Sequence, residues 1–337
     1  MAGRRILITG IADQWATELA RRLERDPQVE FIAGLDSEPP AADLDRTEFI
    51  EADLRSPLLS RLIPATEPDT VVHCGIVWYP TAGKPARALH DINVIGSLQL
   101  LAACEKAPTL EQVIVRGSAA IYGCEGASPS FFTEDMARKL PLRTRFQRDI
   151  GELENYFETF SRRRADVTCT MLRFQPEIAA GLATPLVRYL SLPAVPTILG
   201  FDPRLQLVHA EDATGALLAA TMNPVRGPVN VAPSGTISMS RLLRLAGRPQ
   251  VPIPGQLFGP ALSRFGRRGL GAGEVYNDAL RLLRFGRGVD NTRLREELGY
   301  EPRYDAVAAA KDFAEKSKGR SIVPLPGLGA LAGRAIP

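Results

Sequence analysis

The opening of the chain restricts the fold most: a short apolar run at 5–9, Gly10, and then an amphipathic stretch at 13–25 with Trp15, Leu19 and Leu23 on one stripe. That is a strand, a tight turn and a helix. The alternation continues, with strands predicted at 29–35 ending at Asp36, 48–52 ending at Asp53, 70–74, and 112–115 ending near Ser118. Helices are predicted between them at 57–63 and 87–105. Near-continuous apolar strands cannot leave either face of a sheet in water, so helices must cover both. The pattern therefore predicts an α/β fold with a doubly wound parallel sheet.

A long helix at 145–163 and a strand at 167–174 follow, after which the pattern loosens around Pro193, Pro224 and 251–259. A smaller lobe interleaved with the last sheet elements is expected from 176 to 318, and 319–337, rich in Gly, Pro and Ala, reads as a flexible tail. Arginines recur among apolar residues at 263–288, which reads chiefly as a solvated helix face and otherwise as an anion-binding wall. Over the whole chain 41 basic residues are offset by 38 acidic ones, so no global field for nucleic acid or an anionic membrane is expected. No apolar run approaches the ~20 residues of a membrane span, and neither signal peptide nor anchor is expected. Four scattered cysteines show no metal spacing and fit a reduced, cytoplasmic setting.

Several segments together resemble the extended short-chain dehydrogenases, the NAD-dependent epimerase/dehydratase family. Residues 9–16 (TGIADQWA) stand where that family carries a glycine-rich turn, Val72-His73-Cys74-Gly75 resembles its turn after the fourth strand, and 117–123 (GSAAIYG) resembles its catalytic-serine segment. Leu172-Arg173-Phe174, 208–212 (VHAED) and 293–302 (RLREELGYEP) match later landmarks, so the likeness covers roughly residues 4–312. The resemblance implies a Rossmann-type nucleotide-binding domain over 1–175, a substrate-side lobe after it, and NAD as cofactor. It also implies cofactor contacts at Gly10, Asp36, Asp53, Leu54 and Asn93, with Ser118 as a catalytic residue. Asp36 would accept from ribose hydroxyls, or it is a surface aspartate opening the loop at 37–42. His73 and His209 read either as functional groups or as satisfied near-core histidines.

Two departures bear on chemistry. The family's Tyr-x-x-x-Lys pair corresponds to Phe146 and Ile150, and none of the six lysines lies between 139 and 311. A phenyl ring exchanges no proton, and isoleucine supplies no charge to stabilise a phenolate. At the phosphate turn Asp13 replaces the middle glycine and Ala16 the last one. A carboxylate there adds bulk and like charge and is itself a good N-cap, so NAD binding is expected to be weakened or lost.

The residues leave three readings open. The first is a non-catalytic protein binding a small-molecule ligand, the second an enzyme repurposed for non-redox dehydration, cyclisation or isomerisation, and the third an orthodox nucleotide-sugar enzyme. For the second, Asp149 is the candidate acid or base, because helical spacing puts it beside 146 and 150. The competing reading makes 147–149 a solvated patch with local ion pairing. The resemblance further implies a homodimer through the helices at 87–105 and 145–163.

Overall fold

The computed structural model describes residues 3–40, 42–78, 86–182, 184–266 and 274–317. Its strands are β1 (Arg4–Thr9), β2 (Val29–Asp36), β3 (Thr47–Glu51), β4 (Thr70–His73), β5 (Gln112–Ser118), β6 (Thr168–Phe174), β7 (Glu177–Ile178), β8 (Val195–Ile198), β9 (Arg204–Leu205), β10 (Val208–His209), β11 (Gly227–Val231), β12 (Ile237–Ser238) and β13 (Gln250–Ile253). The helices used below are α1 (Gln14–Leu23), α2 (Leu59–Ala65), α3 (Ala86–His90), α4 (Ser97–Cys104), α5 (Arg145–Arg163), α6 (Pro185–Leu190), α7 (Ala210–Met222), α8 (Met239–Leu245), α9 (Gly255–Gly266) and α10 (Glu274–Phe285).

Seven strands form one sheet in the order β11-β6-β5-β4-β1-β2-β3, and every pairing in it is parallel. The apolar runs that define β1, β4 and β5 are buried along their length, as a sheet covered on both faces requires. The strand order reverses between β1 and β4. At such a reversal the loops leaving the carboxyl ends part in opposite directions and open a crevice. Gly10 follows β1, Asp36 ends β2, Asp53 lies just beyond β3 and Ser118 ends β5, so all four stand at this edge.

Two helices differ from the sequence pattern for local reasons. The helix expected from Asp13 begins at Gln14, because the Asp13 side chain caps it from outside. The helix expected across 87–105 is interrupted by a π-helical segment, Asp91–Gly96, between α3 and α4. There the Asn93 amide pairs with both backbone groups of Val77, at 2.8 and 3.0 Å, while Ser97 Oγ donates to Asn93 O. These bonds tie the helix to the chain leaving β4 at the cost of its regular ladder.

α5 is fixed at both its start and its middle. Thr144 and Gln147 form a reciprocal capping box. Further along, Glu154 accepts two bonds of 2.9 Å from Arg173 of β6, both side chains nearly fully buried. Arg173 also donates to Tyr122 Oη and to the Glu134 carbonyl. The burial of Gln147 and Asp149 corrects the expectation of a solvated patch at 147–149.

A second apolar core, around Leu186, Tyr189, Leu205, Leu242 and Phe313, lies under the short strand pairs β7/β10, β9/β12 and β8/β13. β11 leaves this region to pair with β6 at the edge of the main sheet. The tail expected at 319–337 lies outside the described residues, as does the stretch 267–273.

Candidate functional site

The turn after β1 is forced by Gly10. Its φ is +76°, and a Cβ there would stand 2.6 Å from the backbone of Gly75. The amides that follow are already engaged: Ala12 N donates to Asp36 Oδ2 at 3.1 Å, Asp13 N to Gly10 O, and Trp15 N to Asp13 Oδ1 at 2.8 Å. The second oxygen of Asp36 accepts from Ser37 N. A helix N-terminus holds phosphate through free amides and a positive dipole end, and here a carboxylate has taken that place. A pyrophosphate at this turn would meet the Asp13 carboxylate, which already accepts from Trp15 N.

The other oxygen of Asp13 faces a cation. Arg116, in β5 and 3% exposed, places Nη1 3.8 Å from Asp13 Oδ2 and Nη2 3.0 Å from Glu177 Oε1. Its guanidinium lies over the rings of Trp78 at 4.6 Å, Trp15 at 5.0 Å and Phe174 at 6.0 Å. Burial opposes the charge on Arg116, but the pull of Glu177 and Asp13 outweighs it and raises the pKa above the usual arginine value. Burial pushes the Glu177 carboxyl up to about 7 against the pull of Arg116, with Asp13 adding to the rise. Two buried donors in this cluster, Arg116 Nε and Trp78 Nε1, have no acceptor among the described residues. Buried donors usually find one, so the cluster retains the capacity to hold an acceptor group.

Ser118 closes β5 and is 4% exposed, its Oγ accepting from Ala120 N at 3.2 Å. It lines a cavity of about 40 Å³ with Trp78, Phe146, Leu186, Leu282 and Arg287. Phe146 therefore faces the serine. Ile150, one turn on, is fully buried in the main core. Asp149 does not line this cavity; its Oδ1 lies 2.8 Å from His90 Nδ1, joining α5 to α3.

The remaining predicted contacts are each engaged by neighbouring protein groups. Asp53 is bound by Arg55 at 2.5 Å, and that bond holds its carboxyl below the usual range. Leu54 packs under Gly75 and Gly96. His73, fully buried, bridges Thr9 Oγ1 at 2.7 Å and Ser97 Oγ at 2.8 Å, and burial lowers its pKa to about 4. His209 caps α7, reaches Asp312 and stacks on Tyr304.

A larger cleft of about 800 Å³ adjoins the first through Arg287, which lines both. Phe131, Ile198, Phe201, Arg204 and Arg284 form much of its wall. Arg287 is only 5% exposed, with Nε donating to Gln175 and Nη1 to Cys124 Sγ. Arg281 pairs with Glu125 at 3.0 Å. The expectation of a solvated arginine face is thus corrected for these two residues, which bond inward to groups on distant segments.

Sequence reasoning did not single out Arg116, Trp78 or Glu177, and it placed Arg287 only within the arginine-bearing stretch 263–288. A lone arginine inside the apolar run QVIVRGS was the available signal, because a charge buried in a central strand requires a buried partner.

A parallel sheet that reverses order beside a glycine turn, with a serine closing a neighbouring strand, defines a nucleotide-binding α/β protein of the short-chain dehydrogenase type. The profile of the NAD dependent epimerase/dehydratase family matches residues 6–232, and the chain belongs to that family. An uncharacterized protein of Mycobacterium tuberculosis strain H37Rv is 36% identical over 324 residues, 95% of this chain and 85% of the relative. Among solved structures, a Bacillus anthracis dTDP-glucose 4,6-dehydratase in complex with NAD is similar with a TM-score of 0.67 at 14% identity, covering 94% of this chain and 97% of that one. A Thermotoga maritima UDP-glucose 4-epimerase with UDP-glucose is similar with a TM-score of 0.67 at 20% identity, covering 93% and 98%. At these identities the structural likeness speaks for the fold.

Proposed function

We propose that this protein binds a small-molecule ligand in the clefts beside Ser118 and Arg287 and does not perform the ordinary hydride transfer of its family. One observation carries the reading. The place of a pyrophosphate at the start of α1 is held by Asp13, whose charge is in turn matched by Arg116 between two indoles. NAD must displace this arrangement to bind, so its affinity is weak or lost. The absence of a proton-exchanging side chain at Phe146 agrees with that. The two unpaired donors and the apolar walls favour a ligand with a carbonyl or carboxylate set on an apolar or aromatic body.

The test is calorimetric titration of NAD(H) into the purified chain, with absorbance and native mass measured beforehand for any carried-over cofactor. No saturable binding at low millimolar NAD is expected. Tight binding together with turnover of a nucleotide sugar would overturn the reading.

The buried Asp149 beside His90 favours a second reading, non-redox proton transfer, in which the carboxylate orients an imidazole. If a non-redox activity is found, Asp149→Asn should abolish most of it, and unchanged activity would exclude the residue. A homodimer through α4 and α5 completes the proposal, with sedimentation velocity as its check.

A further inference from the structure

The charge balance of the whole chain conceals a local excess. From residue 213 to residue 273 the sequence contains seven arginines and no aspartate or glutamate. The described part of this stretch runs from α7 through β11, β12, α8 and β13 into α9. Within it or beside it four large apolar side chains face solvent: Leu199 is 62% exposed, Leu257 58%, Phe201 49% and Val251 44%.

Backbone bonds bring these residues together. β8 and β13 pair in parallel with Ile198 opposite Ile253, and Leu199 N extends the ladder to Ile253 O at 2.9 Å. Phe201 N closes a turn onto Ile198 O, and Leu257 N closes another onto Pro254 O. The arginines are held against the same small sheet. Gln250 Nε2 reaches Ser240 O, tying the start of β13 to α8, and Arg248 N donates to Leu243 O. Arg241 and Arg244 are exposed on α8. One neighbouring acid, Asp202, is engaged by Ser240 N and Oγ at 2.9 and 2.6 Å, and the helix packed against α8 carries Asp312, which pairs with Lys316, and Glu315.

We propose that this edge of the lobe, Leu199, Phe201, Val251 and Leu257 flanked by Arg241, Arg244 and Arg248, is a peripheral docking surface for an anionic lipid bilayer. Leucines more than half exposed suit insertion between headgroups, and Phe201 beside them also lines the larger cleft. The arginines beside them match anionic lipid phosphates, and their alkyl stems extend the apolar contact. A second copy of the chain is disfavoured, because a two-fold contact through this face would set the arginines against their own equivalents. No helix among the described residues is long and apolar enough to cross a membrane, so the contact lies on the bilayer surface. The proposal is independent of the cofactor reading.

The experiment is co-sedimentation of the full chain with vesicles of phosphatidylcholine alone and of phosphatidylcholine mixed with phosphatidylglycerol. Binding to the mixed vesicles, little binding to the neutral ones and a decline with added salt are expected. Arg241→Gln, Arg244→Gln and Arg248→Gln combined should lower partitioning on the order of a hundredfold. Leu199→Ser with Leu257→Ser should lower it while leaving the salt dependence in place. All five positions are at least partly exposed, and an unchanged melting temperature confirms that the variants fold. Failure of the wild type to sediment with anionic vesicles overturns the proposal, as does sedimentation that neither variant weakens. Self-association or capture of an acidic polypeptide that the variants abolish, without vesicle binding, assigns the surface to that partner and overturns it equally.

Discussion

Asp13 and Arg116 face each other across the carboxyl end of the sheet, with a carboxylate oxygen 3.8 Å from a guanidinium nitrogen. One belongs to the turn after β1 and the other to β5, which are separated in the sheet by β4. An anion at a helix start thus faces a cation held between aromatic rings.

Asp13→Gly removes the carboxylate that engages Trp15 N and leaves the dipole end of α1 free. NAD should bind at least about tenfold more tightly than to the wild type, a gain of roughly 1.4 kcal/mol. Calorimetry on the two proteins in parallel measures it, and equal affinities would show that the turn does not control the site.

Phe146→Tyr with Ile150→Lys should not by itself produce NAD-dependent turnover of UDP-sugars. The acid/base step contributes ~10²–10⁴-fold only when cofactor and substrate are already in place. Ile150 is also fully buried, so a lysine there should lower the melting temperature. Activity from the double variant without Asp13→Gly would show that the turn accepts the cofactor as it stands.

Loss of one partner from the buried Arg173–Glu154 pair leaves an uncompensated charge. Glu154→Ala should cost about 3–5 kcal/mol in urea unfolding, whereas Asp53→Ala, at an exposed pair, should cost about 1 kcal/mol or less.

His73 gives the fold a dependence on acid. Its pKa falls from 6.5 to about 4 on burial, so below pH 6.5 the unfolded chain takes up a proton that the folded chain refuses. The stability from the neutral ring is complete above pH 6.5 and is lost as pH falls toward 4, on the order of 3 kcal/mol in all. The stability difference between wild type and His73→Gln should therefore shrink across that window.

The main sheet was legible because its strands are buried on both faces and read as unbroken apolar runs. The capping role of Asp13 was legible too, since an aspartate before a helical stripe has few other uses. Arg116 and Glu177 were not, because they meet through the sheet's geometry and lie 61 positions apart in sequence. The same holds for Arg287, whose partners Gln175 and Cys124 lie on remote segments, so that composition alone placed it on a solvated face. Helical spacing put Asp149 beside positions 146 and 150, but its partner on α3 and its place outside the cavity that Phe146 lines depend on tertiary packing, which helical spacing does not specify.

The return of β11 to the edge of the sheet also bears on the order in which the chain can fold. β6 finds its outer neighbour only after more than fifty further residues have been made, and Asn230 of β11 then accepts from Tyr122 Oη through its side chain and donates its backbone N–H to Glu134 Oε1. A fragment ending near residue 175 would present β6 as a bare edge beside a half-satisfied polar cluster, the kind of edge that pairs with other chains. The late, long-range closure of β11 against β6 is therefore expected to be slow in refolding, and the unclosed sheet to be the species that aggregates.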